Sequence, residues 1–180
     1  KLDLKNKKLF LFYGENQGHK KEIIEKKFKK NYSKNIYNYE EIEIISNKEN
    51  FFSNILSKSF FEKEKLIIIS RASDKIKDTI EEIIEKKIDD LVLILNANNL
   101  EKKSKLRSLF EKSKEAICVP FYEDNNQTLM GMVNHFFRQN KISISQQAMN
   151  LIVERCRGDR QNLKNELQKV QNLIKGKNKI

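Results

Sequence analysis

The sequence predicts an α/β fold: a parallel sheet of the P-loop type without a functional nucleotide site, followed by a small all-helical domain. Three observations carry that expectation. Five apolar, strand-like runs alternate with helical stretches, the order that gives a parallel sheet covered by helices. The first run enters a phosphate-binding turn that is started and not completed, Phe10-Leu-Phe-Tyr-Gly-Glu-Asn-Gln-Gly-His-Lys-Lys21. From about Thr128 the strand signals stop and only helical periodicity remains.

Taken in order, the pattern predicts a strand at Leu9–Tyr13, a helix from about His19 to Lys30 and a strand at Glu41–Ile45. A short helix at about Glu49–Lys58 and a strand at Leu66–Ser70 follow. Helix Thr79–Lys87 aligns Ile80, Ile83, Ile84 and Ile88 on one face, with Asp78 as its N-cap. Strand Leu91–Leu95 is apolar throughout, as a strand covered on both faces should be. Helix Lys102–Lys112 carries Leu106, Leu109 and Phe110, and strand Ala116–Phe121 holds the only proline, Pro120.

Beyond the polar link Glu123–Gln127, three helices are expected at Leu129–Gln139, Gln146–Arg157 and Arg160–Ile174. Their apolar stripes are Leu129, Met132, Val133, Phe136 and Phe137, then Ala148, Leu151 and Ile152, then Leu163, Leu167, Val170 and Ile174. Ser145 and Asp159 are suited to N-caps, and Gly158 to ending the middle helix. The expected division is residues 1–126 for the α/β domain and 127–180 for the helical one.

A working P-loop, G-x-x-x-x-G-K-[ST], needs four residues between its glycines, then Lys, then a hydroxyl for Mg²⁺. Here Gly14 and Gly18 are separated by three residues, Lys20 does not follow a glycine, and Lys21 stands where Ser or Thr is required. The shortened turn misdirects the N–H groups that should cradle phosphate. The acidic pair that should hold the metal after a central strand is also missing. Ser70 and Arg71 follow Ile69, and Asn96-Ala-Asn98 follows Leu95. Asn96 stands where a nucleotide-sensing residue often lies, and in an inactive frame it reads as a turn residue. No metal-ligand spacing occurs, and His19 and His135 have no catalytic partner motif. Neither cofactor nor intrinsic catalysis is expected.

The net charge of +11 over 180 residues invites a nucleic-acid reading. Much of it belongs to solvated helix faces, because Lys alternates with Glu, as in Lys20-Lys-Glu-Ile-Ile-Glu-Lys-Lys27. Cys118 and Cys156 form no C-x-x-C pair, which fits buried thiols in a reducing compartment. No long apolar run or signal peptide is visible, so a cytoplasmic protein is expected. The chain starts at Lys1 without Met and stops just after a helical pattern, which suggests a fragment.

One segment resists a purely structural account, Ser59-Phe60-Phe61-Glu62. Two adjacent aromatics end a short helix, a new strand follows almost at once, and both cannot face the helix core. Such a pair on a corner suits a pocket on another protein. Core burial is the competing reading, since Phe51 and Phe52 open the same helix.

Three stretches together resemble the delta subunit of the bacterial DNA polymerase III clamp loader. Leu11-Phe-Tyr-Gly-Glu15 before a helix is similar to that family's opening strand and non-functional P-loop. Ser59-Phe60-Phe61-Glu-Lys-Glu-Lys-Leu66 resembles its Ser-Leu-Phe-x-x-x-x-Leu wedge. Gly158-Asp159-x-x-x-Leu163-x-x-Glu166-Leu-x-Lys169 resembles its Gly-Asp-x-x-x-Leu-x-x-Glu-Leu-x-Lys helix.

The resemblance implies an AAA+-type module that does not hydrolyse ATP, a helical lid, and a collar domain that this chain lacks. It implies that Phe60 and Phe61 bind the beta sliding clamp and open it for loading onto primed DNA. Phe60 replaces the family's Leu, and Leu56 stands where some members have Gln. The implied partners are the clamp, the gamma/tau and delta prime subunits, and DNA through the assembly, within a polymerase (nucleotidyltransferase) holoenzyme. Two readings of the residues compete: a divergent P-loop NTPase using Lys20 or Lys21, and a basic DNA-binding adaptor using the Lys20–Lys34 region with Tyr32, Tyr37 and Tyr39 nearby.

Overall fold

A computed structural model describes residues 7–32, 35–57, 64–88 and 90–177. They divide into two compact units. The first runs to Glu15 and resumes over Lys20–Phe121, and the second comprises Asn16–His19 and the chain from Tyr122 onward.

In the first unit, strands β1 (Leu9–Tyr13), β2 (Ile36–Glu40), β3 (Lys65–Ala72), β4 (Leu91–Ala97) and β5 (Ala116–Pro120) form one parallel sheet in the order β2-β3-β4-β1-β5. Strand alternation sends side chains to two faces, and both are buried. Leu11, Tyr13, Ile67, Ile69, Leu93 and Leu95 pack on one side with Ile44, Phe51, Ile55, Ile80 and Phe110. Phe10, Phe12, Leu66, Ile68, Val92 and Ile94 pack on the other with Ile24, Phe28 and Phe121. The absence of Trp is made good by edge-to-face phenylalanines, with Phe28 centred 4.8 Å from Phe10 and 5.9 Å from Phe12.

Helix α1 (Gln17–Ile23) continues as a π-helical turn over Ile24–Phe28 and a 3-10 turn over Lys29–Asn31. Its buried line is Lys20, Ile24 and Phe28, while Glu22 and Lys26 pair on the wet side at 2.7 Å. The alternating segment Glu41–Ile45 is not a strand. It is helix α2 (Glu41–Ser46), and the strand is the preceding Ile36–Glu40. A capping box overrides the alternation: the Glu40 side chain accepts from the N–H of Glu43, and the Glu43 carboxylate accepts from the N–H of Glu40 at 2.8 Å. Only Ile44 of that segment's isoleucines is buried, and Ile42 and Ile45 face solvent.

Helix α3 (Lys48–Leu56) is capped by Asn47 and buries Phe51, Phe52 and Ile55. Helix α4 (Lys77–Glu85) starts before Thr79, because Ser73 caps a 3-10 turn over Asp74–Ile76 that leads into it; Asp78 lies within its first turn and caps nothing. Helix α5 (Lys105–Lys112) starts later than the pattern suggests. Ser104 is its N-cap, and Asp74 Oδ1 accepts from both Ser104 Oγ (2.6 Å) and the Leu106 N–H (2.9 Å).

In the second unit, α6 (Asn126–Gln139), α7 (Gln146–Cys156) and α8 (Arg160–Lys177) surround Leu129, Val133, Phe137, Met149, Val153, Cys156, Leu163 and Leu167. The buried stripe of α7 is Met149, Val153 and Cys156, one residue away from the expected Ala148-Leu151-Ile152 line, and Leu151 is exposed. The expected line runs on into Arg155, which a core cannot take, whereas the observed one ends in Cys156. Ser145 and Asp159 cap as expected, and Arg157 and Gly158 both take positive φ where α7 ends. Among the described residues, no helix is long and apolar enough to cross a membrane, and no cluster of side chains could hold a metal ion.

Candidate functional site

In open α/β sheets, ligands bind beyond the carboxyl ends of the strands, where the chain order reverses direction. Here that place is the end of β1, between β4 and β5. Gly14 turns the chain at φ +116°, and its N–H donates to Asn98 O at 3.0 Å. A Cβ at Gly14 would stand 2.4 Å from Phe121 O, so only glycine fits.

The structure brings Lys20 to Gly14 and leaves Lys21 outside. Lys20 is fully buried, and its Nζ donates to Gly14 O at 2.8 Å and Ala97 O at 2.5 Å. Burial pulls its ammonium down to about 8. The lysine thus joins the turn after β1 to the end of β4 through two main-chain carbonyls. Lys21 is exposed.

The position after Ile69 holds no carboxylate. β3 runs on through an irregularity between Ser70 and Ala72, with Arg71 at φ +57° and its Nε 3.4 Å from the Glu40 carboxylate. The Glu41 carboxylate accepts from the Ser73 N–H (2.5 Å) and hydroxyl (2.7 Å). Asn96 is not a turn residue. It lies within β4 opposite Phe12 and Ser70, and its buried Oδ1 has no hydrogen-bond partner among the described residues. Of the cysteines, Cys156 is buried and Cys118 half-buried. Burial pushes Cys118 up to about 11, which keeps the thiol protonated.

In the second unit, Asn16–His19 make a cluster that the sequence pattern did not reveal. Asn16 Oδ1 accepts from the His19 N–H at 3.0 Å, and Asn16 Nδ2 donates to Asp124 Oδ2 (2.8 Å) and Tyr122 O (2.9 Å). Arg160 closes a fork on the same carboxylate, with Nε to Oδ2 at 2.7 Å and the second nitrogen to Oδ1 at 2.5 Å. Asp124 belongs to the stretch expected to be a polar link, yet it is an anchor. Gly18 lies here, and a Cβ on it would come 3.1 Å from the Gln161 nitrogen. A one-residue Asx cap three positions before His19 was the available signal.

Phe60 and Phe61 lie outside the described residues. The residues that flank them are Ser57, at the C-cap of α3, and Glu64, just before β3.

The sheet, its turn and the helical unit define the class: an AAA+-like α/β protein of the P-loop type. Among solved structures, the Bacillus subtilis DNA clamp loader delta protein superposes with a TM-score of 0.60 at 16% identity, covering 93% of this chain and 53% of that one. The Thermotoga maritima RuvB Holliday junction branch migration motor gives 0.58 at 15% identity, covering 93% and 55%. Domain III of the Thermotoga maritima replication initiation protein DnaA gives 0.51 at 12%, covering 95% and 78%. The chain spans about half the length of the first two. No curated protein matches it. The family model for the DNA polymerase III delta subunit matches residues 10–122, and the chain belongs to that family.

Proposed function

We propose that this chain is the clamp-binding part of a clamp-loader delta subunit, which opens the beta sliding clamp for loading onto primed DNA and hydrolyses no ATP itself. The observation that carries the reading is the family match over residues 10–122, which span both the turn at Gly14 and the Phe60–Phe61 segment. The α/β unit acts as the AAA+-like module and the helical unit, from Tyr122 onward, as the lid, in an assembly with the gamma/tau and delta prime subunits in the cytoplasm. Phe60 and Phe61 fill an apolar pocket on the clamp. Binding that favours a clamp protomer shaped for the open ring shifts the population toward opening, with no bond chemistry.

The site at the end of β1 supports the non-hydrolytic part. The lysine available to a phosphate is already bonded to Gly14 O and Ala97 O, and Ser70 and Arg71 stand where metal-binding acids are needed. The test is calorimetric titration of the chain with the sliding clamp of the same organism, beside a Phe60→Ala/Phe61→Ala variant whose fold is checked by circular dichroism. Binding by the wild type that is lost in the folded variant is expected, with each truncation costing about 2 kcal/mol or more. Equal binding by the two removes the wedge assignment, and Mg²⁺-dependent ATP turnover by the chain removes the non-hydrolytic one.

A further inference from the structure

The two edges of the sheet are unlike. β5 ends in Pro120, which blunts it against further pairing, whereas β2, Ile36-Tyr-Asn-Tyr-Glu40, holds neither proline nor lysine. Among the described residues, β2 is paired on one side only, by β3. The Leu66 N–H donates to Asn35 O at 2.9 Å, which sets the phase of that ladder. Main-chain groups alternate in direction along a parallel strand, so Tyr37 and Tyr39 turn theirs to β3, and Ile36, Asn38 and Glu40 turn theirs outward. At Glu40 the outward N–H is taken by Glu43 Oε2 at 2.8 Å. The open stretch of edge is therefore Ile36–Asn38, closed at its carboxyl end by the capping box.

Beside this edge, between β2 and the helices α2 and α3, is a cavity of about 300 Å³. Tyr39, Ile44 and Phe51 make its apolar wall, with the Tyr39 and Phe51 rings edge to face at 5.1 Å. Glu43, Asn47 and Asn50 supply its polar groups, and Glu43 is the charged one. Side chains alternate between faces, so a strand laid along β2 would send every second side chain over the exposed Tyr37 and into this cavity. The charge is as local as the shape. Residues 35–47 hold three glutamates and no lysine or arginine, in a chain of net charge +11. Glu40 has Arg71 at 3.4 Å, whereas Glu43 pairs with no cation among the described residues.

We propose that the outer edge of β2 is a docking site for an extended, basic segment of another protein, which adds to the five-stranded sheet and lays one lysine or arginine side chain in the cavity against Glu43. Main-chain bonds to Ile36 and Asn38 hold the incoming backbone, and the cavity selects the side chain. Its apolar stem lies along the Tyr39–Phe51 wall, and its charged head meets the Glu43 carboxylate. An acidic segment is repelled by the same carboxylate. A second copy of β2 is disfavoured for that reason too, since it brings Glu40 and Glu43 against like charge. The site does not rest on the clamp-binding reading.

The probes are short peptides of alternating threonine and valine with arginine, glutamine or glutamate at the centre, titrated into the chain by calorimetry, with amide exchange at Ile36 and Asn38 followed by NMR. The arginine peptide should bind and slow exchange at both amides. The glutamine peptide should bind about tenfold more weakly, and the glutamate peptide more weakly still. Glu43→Gln keeps an acceptor for the Glu40 N–H and removes the charge, so it should bring the arginine peptide down to the glutamine one. N-methylation of the peptide amides that face β2 should abolish binding, a readout that needs no change in the protein. The proposal is overturned if no peptide binds, if arginine and glutamate peptides bind alike, if exchange at Ile36 and Asn38 is unchanged, or if the N-methylated peptide binds at full strength. Self-association of the chain that protects these two amides without peptide makes a second copy the occupant and overturns it as well.

Discussion

The guanidinium of Arg160 and the carboxylate of Asp124 meet as a two-bond fork, with their side chains only 10% and 5% exposed. A pair this buried differs from the exposed ion pairs elsewhere on the chain, such as Lys103–Glu101, which contribute little. Its desolvation is offset only while both partners are present. Arg160→Met should therefore lower the stability of the helical unit by about 3 kcal/mol, read by urea denaturation or by exchange of the α6–α8 amides. A loss below about 1 kcal/mol would mean that water solvates the orphaned carboxylate.

The same pair sets an acid limb. Burial raises the Asp124 carboxyl, but the Arg160 fork and the Asn16 amide outweigh it and hold the group below the usual carboxylate range. The unfolded chain then takes up its proton first as pH falls. The contribution is fully present above about pH 4, the ordinary carboxylate value, and is lost as pH falls through the lower folded value. The stability difference between wild type and Asp124→Asn should shrink through that window; a constant difference would contradict the assignment.

Lys20 works in the opposite range. Its folded ammonium titrates at about 8, below an ordinary lysine, so between there and about pH 10.5 the unfolded chain binds a proton that the folded chain does not. Wild type should gain stability relative to Lys20→Met across that interval, by up to about 3 kcal/mol. A flat difference between pH 7 and 10 would show that the two carbonyls keep the folded lysine charged.

Glycine substitutions separate backbone necessity from composition. Gly14→Ala places a Cβ 2.4 Å from Phe121 O at φ +116° and should cost about 2 kcal/mol or more. Gly131→Ala, inside α6 with nothing within 4 Å of the new carbon, should stabilise by about 0.5–1 kcal/mol. Thermal melts of the two variants decide both points.

The sheet was legible where burial left no choice. Leu9–Tyr13, Leu66–Ile69 and Leu91–Leu95 are apolar on both faces, and a run of that kind between helices can only be a central strand. Glu41–Ile45 was misread because its alternation is real but local, and the glutamate pair three residues apart decides the outcome. The α7 face was missed by one position because Ile152 borders both stripes. At the site, Gly14 was readable from its type, but Lys20 and Lys21 look alike in sequence. Only the helix phase sends one to the carbonyls of residues 14 and 97 and the other to water. The Asn16–Asp124–Arg160 cluster joins positions separated by 108 and 36 residues, and no local pattern announces it.

The place of β1 in the sheet has a consequence for how the chain acquires its structure. β1 precedes the other described strands along the chain, yet its partners are Leu93–Asn96 on one side and Ala116–Pro120 on the other. Leu9–Tyr13 must therefore wait, unpaired and strongly apolar, until more than eighty further residues have left the ribosome. Contacts of such long sequence separation close slowly, since loop entropy is lost before they form. β2, β3 and β4 pair in chain order and can assemble without β1, whereas β1 can join only once β4 is made, and β5 only beside β1. Newly made chains are accordingly most exposed to aggregation through this one strand during synthesis.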